Sequence, residues 1–175
     1  TATITSTTAE TVTVTAAISG TDVTDTATVT FTATAATVGN STLTASLTSV
    51  VADGTSSTMT LQAMDANGNN LSTGGLTVTM TESGSATLSP VTDNNNGTYT
   101  ATITSTTAET VTVTAAIGGT DVTETADVSF TATAATVANS TLTASPTSVV
   151  ADGTASSTMT LQARDANGNN LSTGG

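Results

Sequence analysis

The first 18 residues, TATITSTTAETVTVTAAI, return letter for letter at residues 100–117, and no other feature of the chain constrains its fold so tightly. The copies stay in step beyond this stretch. TDVTDTATVTFTATAATVGNSTLTAS at 21–46 answers TDVTETADVSFTATAATVANSTLTAS at 120–145. VVADGTSSTMTLQAMDANGNNLSTGG from Val50 answers VVADGTASSTMTLQARDANGNNLSTGG from Val149. The register is 99 residues and becomes 100 after an extra residue at Ala155. That period is the length of a small sandwich domain and exceeds the roughly 20–50 residues of solenoid repeats, so each period is expected to fold alone. The expected division is 1–38 for the C-terminal part of one copy, 39–137 for a complete copy and 138–175 for the N-terminal part of the next.

Within a period the apolar residues alternate with polar ones, the signature of strands with one buried face. Met59, Leu61 and Ala63 are expected inward, with Thr58, Thr60 and Gln62 outward. The same pattern points Leu76, Val78 and Met80 inward, then Tyr99, Ala101 and Ile103, then Val111, Val113, Ala115 and Ile117, and finally Ala126, Val128, Phe130 and Ala132. Shorter strands are expected between Leu43 and Val51 and between Ala86 and Leu88. Between the runs stand Asp53-Gly54, the DANGNN turn from Asp65, Ser83-Gly84, the DNNNG turn from Asp93, and Gly118-Gly119. Asn and Gly accept the positive φ that tight turns require. About seven short strands at this spacing predict an all-β fold, a tandem array of immunoglobulin-like β-sandwiches.

Differences between copies check the register. Met64 is answered by Arg164, Thr28 by Asp127 and Thr30 by Ser129, all on the face assigned to solvent, where a charge is not desolvated. The inward set Met59, Leu61, Ala63, Val29 and Phe31 recurs unchanged as Met159, Leu161, Ala163, Val128 and Phe130.

Composition narrows the function. Thirteen acidic residues face a single basic one, Arg164, for a net charge of -12. Nucleic acid is therefore not an expected partner, because phosphate binding requires clustered Lys and Arg. An anionic membrane surface is excluded on the same ground, and no apolar run reaches the length of a spanning helix. The chain has no Cys, His or Lys. Disulfides, thiolate metal sites and Ser-His-Asp or Cys-His catalysis cannot be assembled from it, nor can isopeptide links that need Lys. Acid-pair glycoside cleavage needs only two carboxylates, but Glu82, Glu109 and Glu124 lie among Thr and Ser with no aromatic platform for a sugar, and read as solvated surface acids. No enzyme is expected.

The segments VVADGTSSTMTLQAMDANGNNLSTGGLTVTM, TDNNNGTYTATITST and TVTVTAA together resemble the bacterial immunoglobulin-like group 1 domain of the invasin and intimin adhesins. ADGTSS, DANGN and NGTYTATITS carry the likeness, and Asn70 stands where the family usually has Pro. The resemblance implies an extracellular location on a bacterial cell surface. It further implies a stalk that spaces a binding tip from the cell, with neighbouring repeats of the same chain as direct partners. The alternative is a subunit of an extracellular filament or surface sheath, in which Thr-rich faces contact other copies laterally. Thr supplies 50 of the 175 residues, and its strand propensity and cross-strand pairing suit such faces.

Two turns gather oxygen ligands in this acidic chain: Asp65, Asn67 and Asn69 in DANGNN, and Asp93 and Asn95 in DNNNG. They are the candidate calcium ligands, since Ca²⁺ favours clustered oxygen donors. The competing reading is a plain hairpin turn: Gly68 falls fourth where an EF-hand loop has its Gly sixth, and no bidentate Glu follows. Three Asn-x-Thr triplets, at Asn40, Asn96 and Asn139, fit the N-glycan acceptor pattern.

Overall fold

The computed structural model describes residues 1–172. Its strands are β1 (Glu10–Val14), β2 (Ala17–Ile18), β3 (Thr21–Asp22), β4 (Ala27–Phe31), β5 (Thr42–Ala45), β6 (Ser49–Val51), β7 (Ser56–Gln62) and β8 (Val78–Glu82). They continue with β9 (Thr87–Leu88), β10 (Thr92–Asp93), β11 (Thr98–Thr104), β12 (Thr110–Ile117), β13 (Thr120–Asp121), β14 (Ala126–Thr131), β15 (Thr141–Ser145) and β16 (Thr158–Gln162).

Between Thr42 and Thr131 two five-stranded sheets face each other. One has the order β10-β11-β7-β5, with β9 also on β11; the other has the order β13-β12-β14-β6, with β8 also on β12. The chain enters through β5 on the first sheet, crosses, and pairs β6 in parallel with the final strand β14. The other pairings are antiparallel, and the pattern is that of an immunoglobulin-like sandwich. The alternation seen in sequence is the burial pattern seen in space. Met59, Leu61, Ala63, Ile103, Val111, Val113 and Val128 are fully buried, and Tyr99 and Phe130 nearly so. Burying each large apolar side chain contributes about 1.5–3 kcal/mol. The Tyr99 hydroxyl, drawn inside with its ring, accepts the Leu76 N–H at 3.0 Å.

Some expectations shift in detail, and Ile117, expected inward, is half-buried at the end of β12. Leu76, Val78 and Met80 are only half-buried, because β8 pairs solely with β12 and forms a sheet edge. The strand begins at Val78, two residues after Leu76. Ala132 lies past the end of β14 and is half-buried. Arg164 is half-buried as well, its Nε donating to Asn170 Oδ1 at 2.9 Å, whereas Asp127 stands in solvent and accepts from Thr112.

The flanking segments repeat parts of the same architecture. β1 pairs with β4 in the way that β12 pairs with β14, and β15 pairs with β16 in the way that β5 pairs with β7. Met159 and Leu161 are 63% and 69% exposed, although their counterparts Met59 and Leu61 are buried. The identical side chains differ only in whether a second sheet lies over them.

Candidate functional site at the repeat junction

The DANGNN turn folds on its own carboxylate. Asp65 N–H donates to the Asn69 carbonyl at 2.9 Å and Gly68 N–H to the Asp65 carbonyl at 3.1 Å. Asp65 Oδ1 accepts the Asn67 and Asn69 N–H groups, each at 2.9 Å. Oδ2 turns outward and accepts the Thr34 N–H at 3.0 Å and the Thr34 hydroxyl at 3.3 Å, so it grips the segment that leaves β4. The Asn69 side-chain amide bridges both oxygens, at 3.2 and 3.0 Å.

From that anchored position Asn69 reads the main chain of the preceding copy. Its Nδ2 donates to the Thr7 carbonyl at 2.9 Å, and its Oδ1 accepts the Ala9 N–H at 2.8 Å, the pairing one strand residue offers another. Asn40 Nδ2 holds the Asp65 carbonyl at 2.9 Å, while Thr37 N–H donates to the Met64 carbonyl at 2.7 Å. The buried Ser41 hydroxyl donates to Thr37 and accepts the Met64 N–H.

One repeat later the arrangement returns. Asp165 accepts Thr133 N–H at 3.0 Å, Asn169 donates to the Thr106 carbonyl at 2.9 Å, and the Ala108 N–H donates to Asn169 at 2.8 Å. Asn139 donates to the Asp165 carbonyl at 2.8 Å. Asn167 adds a bond of 2.8 Å to the Ala52 carbonyl. Beside each turn runs a groove, about 250 Å³ against Phe31 and Asn70 and about 270 Å³ against Phe130 and Asn170.

These contacts set the ionisation of the two aspartates. The Thr34 N–H, then the Asn69 side chain, hold Asp65 well below the usual carboxylate range. At Asp165 burial opposes ionisation, but donors from Asn169, Thr133 and Asn167 together outweigh it and lower the pKa to about 2. Both are carboxylates at any ordinary pH.

The structure thus brings Asp65, Asn67 and Asn69 into one turn, where the Asp65 oxygens face N–H and hydroxyl donors. Asp93 and Asn95 belong to another turn. Asp93 accepts the Asn95 N–H at 2.8 Å and the Gly75 N–H at 2.7 Å, pinning the strand entry at Gly74-Gly75. Asn95 itself adopts φ of 59°. Among the described residues there is no group of three His, Cys, Asp or Glu side chains that could hold a metal ion. Glu109 is held below its usual pKa by the Ser85 hydroxyl at 2.6 Å, and Glu82 accepts the Gly84 N–H. Among the described residues no helix is long and apolar enough to cross a membrane. Sequence reasoning missed Thr34, Thr7, Ala9 and their counterparts, because the junction recognises their main chain, which leaves no mark on side-chain type.

An all-β array of immunoglobulin-like sandwiches, joined by a turn that grips its predecessor, defines an adhesin-type repeat module. The family model described as invasin, domain 3, matches residues 37–133 and 136–175, and the chain belongs to that family. The crystal structure of invasin, a bacterial integrin-binding protein, aligns at 34% identity and a TM-score of 0.65, covering 96% of this chain and 34% of that one. The Escherichia coli adhesin FdeC aligns at 31% identity and a TM-score of 0.59, covering 89% of this chain and 50% of its own. Yersinia pseudotuberculosis InvD shares the fold at 20% identity and a TM-score of 0.61 over 94% of this chain. The chain spans about a third of the first of these structures and about half of the other two. No curated protein sequence matches it significantly.

Proposed function

We propose that the chain is a length of stalk in a repetitive extracellular adhesin of a bacterial cell surface, carrying a binding element away from the cell. Units 1–38, 39–137 and 138–175 act as successive segments, and the contacts between them are the functional site. One observation carries this reading: the same junction occurs twice, with Asp65 and Asn69 in the first and Asp165 and Asn169 in the second. Its donors and acceptors are mostly main-chain groups. A turn that recognises backbone fits any preceding copy, so repeats are interchangeable and the array can be long. Each junction also ties the connecting segment itself, through Thr34 or Thr133, which removes hinge freedom that a short linker would otherwise retain. Small-angle scattering on arrays of increasing repeat number tests the proposal: the maximum dimension should grow linearly with repeat number, whereas growth with its square root would defeat it.

Lateral packing of stalks into a filament or sheath is a second reading. It is favoured by an uncharged outer face on the β5-β7-β11 sheet, where Thr44, Thr60, Thr100 and Thr92 lie in one cross-strand row. Electron micrographs of purified material separate the two, single threads supporting the stalk and many-chain fibres the sheath.

A further inference from the structure

Three asparagines head Asn-x-Thr triplets, and the structure treats them differently. Asn40 and Asn139 hold their side-chain amides against the carbonyls of Asp65 and Asp165 at 2.9 and 2.8 Å, inside the junctions. Asn139 donates also to the Ala166 carbonyl. Asn96 stands exposed at the tip of the β10–β11 hairpin, and its Nδ2 has no hydrogen-bond partner among the described residues. Its Oδ1 accepts two bonds from the residue two positions on, the Thr98 hydroxyl at 2.7 Å and the Thr98 N–H at 3.0 Å.

The same bond from a side-chain oxygen to the N–H two residues on closes the turns at Asp53, Asp93 and Asp152, but at Asn96 the side chain also carries a free amide nitrogen. A carboxamide nitrogen is a poor nucleophile because its lone pair is delocalised into the carbonyl. Donors on the amide oxygen do not free that lone pair; they act when a base of the transferase draws off an amide proton, because the negative charge this leaves on the oxygen is then stabilised by the two donors already aimed at it. We propose that Asn96 is the acceptor of an N-linked sugar drawn from a phosphate-activated glycosyl donor. In the transfer the Nδ2 lone pair forms a bond to the anomeric carbon while the bond from that carbon to the phosphate oxygen breaks. The phosphate or diphosphate leaves with the electron pair, and one amide proton passes to a base of the transferase. No electrons are exchanged with any further reagent. At the hairpin tip the sugar displaces no core side chain, and neither junction amide is disturbed. A stalk with few charges other than carboxylates would thereby gain a bulky neutral group on the complete repeat.

The test uses the full folded chain and two transferases, each first shown active on a peptide of residues 93–99. One is soluble and takes a nucleotide-activated hexose; the other is membrane-bound and takes an oligosaccharide on a polyprenyl diphosphate. Cleavage after Glu10, Glu82, Glu109 and Glu124 places Asn40, Asn96 and Asn139 on separate fragments, 11–82, 83–109 and 125–175. Mass spectrometry should find sugar on fragment 83–109 alone in at least one arm, and that arm names the donor. Asn96→Gln should abolish transfer. Thr98→Val, which keeps the N–H and the β-branched shape, should lower it by about tenfold or more, and Thr98→Ser should restore it. A folded chain left bare in both arms overturns the proposal, as does one modified as readily on fragment 11–82 or 125–175, which also carry the Asn-x-Ser triplets at Asn70 and Asn170, as on fragment 83–109.

Discussion

The side-chain amide of Asn167 donates to the main-chain carbonyl of Ala52 over 2.8 Å, across 115 positions of sequence. Together with Asn169 on Thr106 and Ala108, it seats one turn of the following copy on two loops of the sandwich before it. Seen this way the DANGNN sequence does two jobs. Its Asp closes the turn and holds the connecting segment, and its Asn residues bind the neighbour.

Replacing Asn169 by Ala removes two neutral hydrogen bonds to the preceding copy and a third to the Asp165 carboxylate, and the loss of the first two should weaken the junction by about 1–3 kcal/mol. The Ala108 amide, otherwise held at 2.8 Å, should exchange its hydrogen about tenfold faster or more, and scattering should report a wider spread of angles between units. The melting temperature of the central sandwich should hardly change, because Asn169 bonds there only to the main chain of Thr106 and Ala108, in the loop between β11 and β12. Unchanged exchange at Ala108 would show that the junction is not held by this residue.

Leu61 and Leu161 occupy equivalent positions of the repeat yet are 0% and 69% exposed. Leu61→Ala should cost about 2–5 kcal/mol in denaturant unfolding, through lost burial and the cavity left behind. In the 175-residue chain, where among the described residues no second sheet covers it, Leu161→Ala should stay within about 0.5 kcal/mol. Equal effects would mean that the exposed sheet is covered in solution.

Most of this fold is readable from alternation alone, since Leu61, Ile103, Val113 and Phe130 must leave water together and only two facing sheets let them. Copy-to-copy differences reinforce it: Thr28 can become Asp127 because the position is solvated. What alternation cannot show is the partner of a polar group. Asp65 and Asn69 are visible as oxygen-rich turn residues, but the same composition serves a cation or a ring of N–H donors, and the choice depends on Thr34, Thr7 and Ala9 arriving from the other side. Edge position escapes the pattern too, which is why Leu76 and Met80 read as core and lie half-buried.

Gly97 is fixed by both conformation and space. It has φ of 83°, and a Cβ there would overlap the Leu71 carbonyl, while its own carbonyl accepts the Ala63 N–H at 2.9 Å. Gly68 has φ of 81° but open space around it. Gly68→Ala should therefore cost about 1 kcal/mol of backbone strain, and Gly97→Ala clearly more, about 2–4 kcal/mol, because the clash adds to the strain. Thermal unfolding of the two variants side by side gives the comparison.

Calcium should have little effect on this chain. To bind at DANGNN it would have to displace the N–H groups of Thr34, Asn67 and Asn69 from the Asp65 carboxylate, and among the described residues no group of three acidic side chains gathers to hold it. Titration calorimetry is expected to show no saturable heat, and chelation should leave both melting temperature and scattering unchanged. A melting temperature that rises with calcium would assign Asp65, Asn67, Asn69, Asp93 and Asn95 as its ligands instead.

Acid should loosen the second junction over a defined range. Asp165 has a folded pKa of about 2, below the ordinary value of 3.8, so the folded state favours the ionised form. Its stabilising contribution is complete above the ordinary value, declines as pH falls through the interval, and is gone below about 2. Hydrogen exchange at Thr133, whose N–H the carboxylate accepts, should therefore show a protection factor constant above about pH 5 and falling between about pH 4 and pH 2. Asp165→Asn turns an amide group toward N–H donors that require an acceptor. That variant should lose protection at Thr133 at every pH and abolish the acid transition, so a transition that persists in it would assign the titration to another carboxylate.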